Sequence, residues 1–239
     1  MITVDNVSML FNLSTEKIDN IKEYVIRVLK GNLKFREFWA LKNVSFSINR
    51  GDALGIVGLN GAGKSTLLKL IAGVLKPTQG TIKTGGSIAP LIELGAGFDG
   101  DLSARENVYL NGAILGYSHQ YMENKFNSII EFAELENFID VPIKNFSSGM
   151  TARLGFAIAT MNQPDILILD EVLSVGDHKF KQKSFARTQE IIKDGATVLF
   201  VSHAPEQVKQ LCNKALWLEK GTVKMFGDAN SVCTAYANS

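Results

Sequence analysis

The sequence predicts an α/β protein built on a parallel sheet. Two continuous apolar runs of strand length, "DILILD" at 165–170 and "ATVLFVSH" at 196–203, read as strands buried on both faces. A third apolar run, "ALGIV", leads into a glycine-rich loop and then a helical pattern. Strands of this kind alternating with helices make a parallel sheet whose faces the crossover helices cover.

The elements follow in order. Residues 2–11, "ITVDNVSMLF", have strand composition. Residues 16–30 have helical spacing, since Ile18, Ile21, Val25, Val28 and Leu29 share one face with charges opposite. Residues 38–48 return to strand-like alternation. Residues 50–75 read as turn, strand, glycine loop and a helix through "LLKLIAGVL", and "GTIKTGG" is another short strand and turn. From 101 to 159 the pattern is mainly helical and looks like an insertion into the α/β alternation. "PEQVKQLCNK" is helical, Glu219-Lys220-Gly221 marks a hairpin, and a short helix ends the chain.

Composition supports a globular protein with a sizeable core. Of 239 residues, 46% are apolar and 21% charged. The net charge of +1 gives no bulk attraction for nucleic acid or an acidic partner. Cys212 and Cys233 form no metal or redox motif and read as ordinary thiols in a reducing compartment. The first twenty residues carry Asp5, Glu16, Lys17 and Asp19, unlike a secretory signal, and no stretch has the length and apolarity of a membrane span. The chain is therefore expected in the cytosol, with any membrane link made through a partner.

Gly58-Leu59-Asn60-Gly61-Ala62-Gly63-Lys64-Ser65-Thr66 matches G-x-x-x-x-G-K-[ST] between a strand and a helix. Its glycines let backbone N–H groups face phosphate oxygens, and the helix start adds partial positive charge. Lys64 is expected to reach the β and γ phosphates, and Ser65 to ligate Mg²⁺. "ILILDE" ends an apolar strand in two acids: Asp170 suits Mg²⁺, and Glu171 beside it suits polarising an attacking water. His203 ends the strand "ATVLFVSH". A lone histidine there often has a structural role, but strand C-termini of a parallel sheet face the ligand crevice, so His203 is expected to contact the γ-phosphate. His119 and His178 have no such setting and read as surface residues. A second polar, glycine-bearing stretch, "NFSSGM", Asn145 to Met150, precedes a helical pattern and is built to hold an anion.

The phosphate loop, "NFSSGM", "ILILDE" and "VSH", in that order and spacing, resemble an ABC-transporter ATPase subunit over essentially the whole chain. The resemblance implies a P-loop NTPase fold: a RecA-like core with a parallel sheet, an N-terminal antiparallel β subdomain and an inserted α-helical signature subdomain. It implies one ABC ATPase domain over 1–239, with core at 1–100 and 160–239 and the signature subdomain at 101–159. It implies that Ser147, Ser148 and Gly149 cap the γ-phosphate of an ATP held by a second copy's phosphate loop, in a head-to-tail homodimer. Either Ser147 or Ser148 suits capping the following helix as well.

Several details narrow the resemblance. The signature is "FSSGM" rather than L-S-G-G-Q, and the loop after the acids is "SVGD" at 174–177 rather than S-A-L-D. With "LIELGAGFDGDLSARENVYLNGAILG" in the region that carries a glutamine, the chain is similar to ATPases that export O-antigen, capsule or wall teichoic acid. Glu93 lies near the place of that glutamine and is the metal candidate of this region. Family members stack adenine on an aromatic residue after the first strand; Phe11 is the natural match, with Phe38 and Trp39 as rivals. The segment between 13 and 38 resembles an extra N-terminal helix of polysaccharide exporters. Its charges Lys22, Glu23, Arg27 and Lys30, with Lys34, Phe35, Arg36, Phe38 and Trp39 beyond, suit a place beside headgroups or the membrane channel. Some exporters add a C-terminal sugar-binding sandwich; with the last residue at Ser239, this chain is not expected to read a modified glycan. The implied protein is peripheral on the cytoplasmic face of the inner membrane, bound to two copies of an integral channel subunit that moves a lipid-linked polysaccharide. A soluble ABC ATPase, or the ATPase of another ABC transporter, is the alternative.

Overall fold

The computed structural model describes residues 1–14, 35–91, 97–170 and 177–239. Two sheets organise it. Strands β1 (Ile2–Ser14), β2 (Phe35–Ile48) and β4 (Gln79–Thr84) form an antiparallel sheet in the order β2-β1-β4. Strands β3 (Ala53–Val57), β5 (Ile88–Leu91), β6 (Ile166–Asp170), β7 (Thr197–Val201), β8 (Lys214–Glu219) and β9 (Thr222–Asp228) form the second, in the order β5-β6-β7-β3-β8-β9. All its pairings are parallel except β8–β9. That last pair is the expected hairpin, turning through Lys220 and Gly221, both at positive φ.

Side-chain alternation divides the large sheet between two cores. Ile166 and Ile168 of β6, Leu54 and Ile56 of β3, and Leu199 and Val201 of β7 face helix α1 (Lys64–Ile71) and the small sheet. Leu167 and Leu169, Ala53 and Val57, and Val198 and Phe200 face α5 (His178–Lys193), α6 (Pro205–Leu211) and α7 (Ala229–Ala237). Burial on both faces is why these strands read as unbroken apolar runs. A third core joins α2 (Ala104–Ile114), α3 (His119–Ala133) and α4 (Ser148–Thr160) through Val108, Met122, Phe126, Ile130 and Leu154.

Most helices start on a side-chain cap. Ser103 and Glu106 form a capping box on α2; Ser118, Ser147, Asp177 and Asp228 cap α3, α4, α5 and α7. Helix α1 stops earlier than the expected run through "LLKLIAGVL". The N–H of Val74 turns back to Lys69 O at 2.9 Å and that of Gly73 to Leu70 O at 3.2 Å, a Schellman ending with Gly73 at φ 75°. Strand β5 had no clear signal in the sequence. Pro90 lies within it, which an edge strand tolerates because one side of its backbone needs no ladder partner. The helical reading of 16–30 lies outside the described residues.

One polar cluster fixes the entry of β3. Asp52, 9% exposed, accepts from Lys214 Nζ at 2.8 Å, Asn213 Nδ2 at 2.9 Å and the Asn49 N–H at 2.7 Å. Asn213 Oδ1 in turn accepts from the Ala53 N–H at 2.8 Å. The starts of β3 and β8 are thereby tied together. Burial pushes the Asp52 carboxyl up, but the bonds from Lys214, Asn213 and Asn49 outweigh it and hold the group below its ordinary range. A depressed folded pKa means that this stability is present above the unfolded value and is lost as pH falls through the folded one. Asp52→Ala is expected to cost about 2–4 kcal/mol in urea unfolding at neutral pH, because the Lys214 ammonium loses its carboxylate. A loss below about 0.5 kcal/mol, the level of an ordinary surface change, would contradict the tie.

Candidate functional site

Strand register brings the chemistry-bearing segments to one edge. Across β3, β7 and β6, Ile56, Val201 and Asp170 are paired in one rank. The phosphate loop leaves β3 one residue past Val57, Asp170 ends β6, and His203 lies two residues past the end of β7. Parallel strands thus place all three at their shared C-terminal edge. His203 is exposed on a short turn held by Ser202, whose Oγ accepts from the Ala204 N–H at 3.1 Å and donates to Gln207 Oε1 at 2.8 Å.

The phosphate loop is shaped by what packs behind it. Gly58 has φ 151°, and a Cβ there would stand 2.3 Å from the Leu218 carbonyl oxygen of β8. Gly63, the N-cap of α1, has φ 102°, and a Cβ would meet the Ala40 carbonyl oxygen and Leu41 Cδ2, each at 2.7 Å. These two positions require glycine for conformation and for space. The hairpin turn supports the loop further, with the Gly221 N–H donating to Ala62 O at 3.1 Å. Lys64 is 6% exposed, and its Nζ donates to Gly58 O at 2.8 Å and Leu59 O at 3.1 Å. The ammonium is folded over the loop's own carbonyls, within reach of anything the loop would cradle.

A cleft of about 230 Å³ opens over this loop, lined by Asn60, Gly61, Gly63, Lys64, Ser65 and Thr66 together with Phe38 and Ala40 of β2. Phe38 is 47% exposed. Its cross-strand partner Phe11 packs instead against the core beneath α1, and Trp39 is half-buried beside it. Of the three aromatic candidates for adenine, the cleft is lined by Phe38.

The second glycine-bearing stretch, 145–150, lies at the start of α4, away from this cleft. Ser147 caps α4, its Oγ accepting from the Met150 N–H at 3.2 Å. Ser147 and Ser148 are exposed, and none of the residues 145–150 lines the cleft. Gly149 has ordinary helical φ, and a Cβ there would find only Ser147 Oγ, at 3.8 Å. Glycine in a helix costs about 1 kcal/mol against alanine. Among the described residues nothing packs closely enough to require glycine at this position.

Glu171 and Glu93 lie outside the described residues, as do 174–176 of the "SVGD" segment. Among the described residues no group of three His, Cys, Asp or Glu could hold a metal ion. Hydroxyl and carboxylate oxygens from Ser65 and Asp170 nevertheless fit Mg²⁺, which is bound through one or two protein oxygens together with substrate phosphates and water. Among the described residues no helix is long and apolar enough to cross a membrane.

Comparisons with known proteins identify the family and the fold. Residues 41–174 match the family model described as ABC transporter. The O-antigen export system ATP-binding protein RfbB of Klebsiella pneumoniae is 45% identical over 204 residues, covering 85% of this chain and 83% of that protein. The teichoic acids export ATP-binding protein TagH of Bacillus anthracis is 41% identical over 232 residues, covering 97% of this chain but 41% of that protein. Among solved structures, the dimeric post-hydrolysis state of an ATP-binding cassette bound to ADP and Pi superposes with a TM-score of 0.77 at 23% identity. It covers 96% of this chain and 99% of that one, a likeness of fold.

Proposed function

This chain belongs to the ABC transporter family, and we propose that it is the ATP-hydrolysing subunit of an exporter of a lipid-linked polysaccharide. We read 1–239 as one ATPase domain, with 101–159 as its helical unit. It works on the cytoplasmic face of the membrane, held there by two copies of an integral channel subunit. The export systems named for RfbB and TagH support this choice of substrate class.

ATP lies in the cleft over the phosphate loop, with its base against Phe38. Lys64 turns from the Gly58 and Leu59 carbonyls onto the β and γ phosphates. Ser65 and Asp170 would hold Mg²⁺, which when bound would neutralise charge on the phosphate oxygens. Glu171 orients the attacking water and accepts its proton, and His203 contacts the γ-phosphate. A second copy supplies Ser147, Ser148 and Gly149, whose α4 N-terminus brings N–H groups and partial positive charge to the same phosphate. The observation that supports this most is a division within the chain. Phosphate loop, Asp170 and His203 share one sheet edge, while the second anion-binding stretch does not line that cleft and carries a glycine its own fold does not need.

The test is made on the cell. Loss of this chain is expected to leave a lipid-linked glycan accumulating on the cytoplasmic side of the membrane, and the chain is expected to co-purify with an integral channel subunit. Deletion of 16–30 should reproduce the accumulation while ATP binding persists. Unimpaired surface glycan in the absence of the chain would overturn the export assignment.

A further inference from the structure

Arg153 lies on the second turn of α4 and is only 20% exposed. Its Nη1 is 3.4 Å from Glu134 Oε2 and 3.9 Å from Asp177 Oδ2. Its guanidinium carbon stands 5.9 Å from the centre of the Phe180 ring. Glu134 is the left-handed C-cap of α3, and Asp177 is the N-cap of α5, accepting from the Phe180 N–H at 2.9 Å. One cation therefore faces carboxylates at the ends of two other helices.

The joint is incomplete. Arg153 Nε is buried and has no hydrogen-bond partner among the described residues. Buried donors of this kind are rare and costly. A guanidinium has five donors arranged to grip a carboxylate with two at once. A shift of about 1 Å would bring the Asp177 carboxylate to full hydrogen-bond distance. Glu134 does not depend on Arg153 alone, since Lys179 and Lys183 stand 3.7 and 3.6 Å from its Oε1.

The far end of α4 is already fastened. Arg187 Nη2 of α5 donates to the carbonyl of Thr160, the last residue of α4, at 2.8 Å. Lys183 Nζ likewise donates to Phe132 O near the end of α3, at 3.0 Å. Cations on C-terminal helix carbonyls are a favourable pairing. Helix α4 is thus pinned to α5 at its C-terminus and loosely joined to it near its N-terminus. About 20 Å of helix separates the pin from Ser147, Ser148 and Gly149.

We propose that Arg153 is a positioning residue for ATP turnover: by closing on Asp177 it locks the N-terminus of α4 to the start of α5. The γ-phosphate contacts of α4 and the start of α5 then move as one body. This rests on the reading of the site given above.

The experiment is steady-state ATP turnover by the full chain with Arg153→Met, Asp177→Asn and both together. Asparagine caps a helix as well as aspartate does, so Asp177→Asn removes charge and keeps the cap. Each single variant is expected to lower kcat about tenfold with the KM for ATP within about twofold, and the double variant to be no slower than the slower single one. Arg153→Lys should recover part of the loss, since it keeps charge without the fork. Unchanged kcat, losses that multiply in the double variant, or losses that follow a falling thermal midpoint would each overturn the proposal. A wild-type chain that hydrolyses no ATP would overturn the underlying reading instead, and this inference with it.

Discussion

A chain carrying Glu171→Gln is expected to bind MgATP and form a dimer, yet to turn over at least about 100-fold more slowly than the unaltered chain. The amide has the size of the carboxylate but cannot take a proton from the attacking water. Glu171 follows Asp170, whose Cα is paired with Val201 at the sheet edge where the phosphate loop begins. On the proposed mechanism the substitution removes the proton acceptor and leaves the apolar run of β6, buried on both faces, intact. Single-turnover hydrolysis combined with sedimentation reads both halves of the expectation. Turnover within a few-fold of the unaltered chain would remove Glu171 from the mechanism.

Two further substitutions should abolish turnover for different reasons. Lys64→Ala removes the ammonium folded into the loop, and ATP binding should weaken by about 2–3 kcal/mol, the worth of charge-assisted hydrogen bonds. Gly149→Asp acts elsewhere. The described residues leave room for the side chain, with Ser147 Oγ at 3.8 Å from its Cβ, and an acid in the first turn of α4 favours the helix. The variant should fold at least as well as the parent and bind ATP normally at its own phosphate loop. It should nonetheless be inactive, because its carboxylate would meet the triphosphate of the other copy. Equilibrium ATP binding separates the two cases: weakened in Lys64→Ala, kept in Gly149→Asp.

Much of this arrangement is legible from local pattern. The phosphate loop is a contiguous motif whose glycines are required where they stand, and the strands of the large sheet announce themselves because both faces are buried. The hairpin at Lys220-Gly221 follows from its turn residues. Contacts fixed by register and packing are not legible in that way. Phe38 and Phe11 are opposite one another across β1 and β2, and only the fold decides that Phe38 lines the cleft while Phe11 packs inward. Pro90 hides an edge strand, because its neighbours give no alternation to count. Arg153 meets Glu134 and Asp177, and Asp52 meets Lys214 across more than 160 residues, through helix and strand ends that no sequence period connects. The charged residues themselves were visible; their partners depend on how three helices converge.

The central claim is that each ATP is enclosed by two chains, one giving its phosphate loop and the other the start of α4. It is tested by mixing two chains, both carrying Glu171→Gln, one with Lys64→Ala and the other with Gly149→Asp. Alone with MgATP, each should sediment as a monomer, because both of its composite sites are broken. Mixed, they should form dimers, since a two-fold assembly of the two reassembles one intact site, and these should keep about one ATP per two chains after free nucleotide is removed, which neither chain does alone. A mixture that stays monomeric and retains no more nucleotide than its separate components would contradict the account.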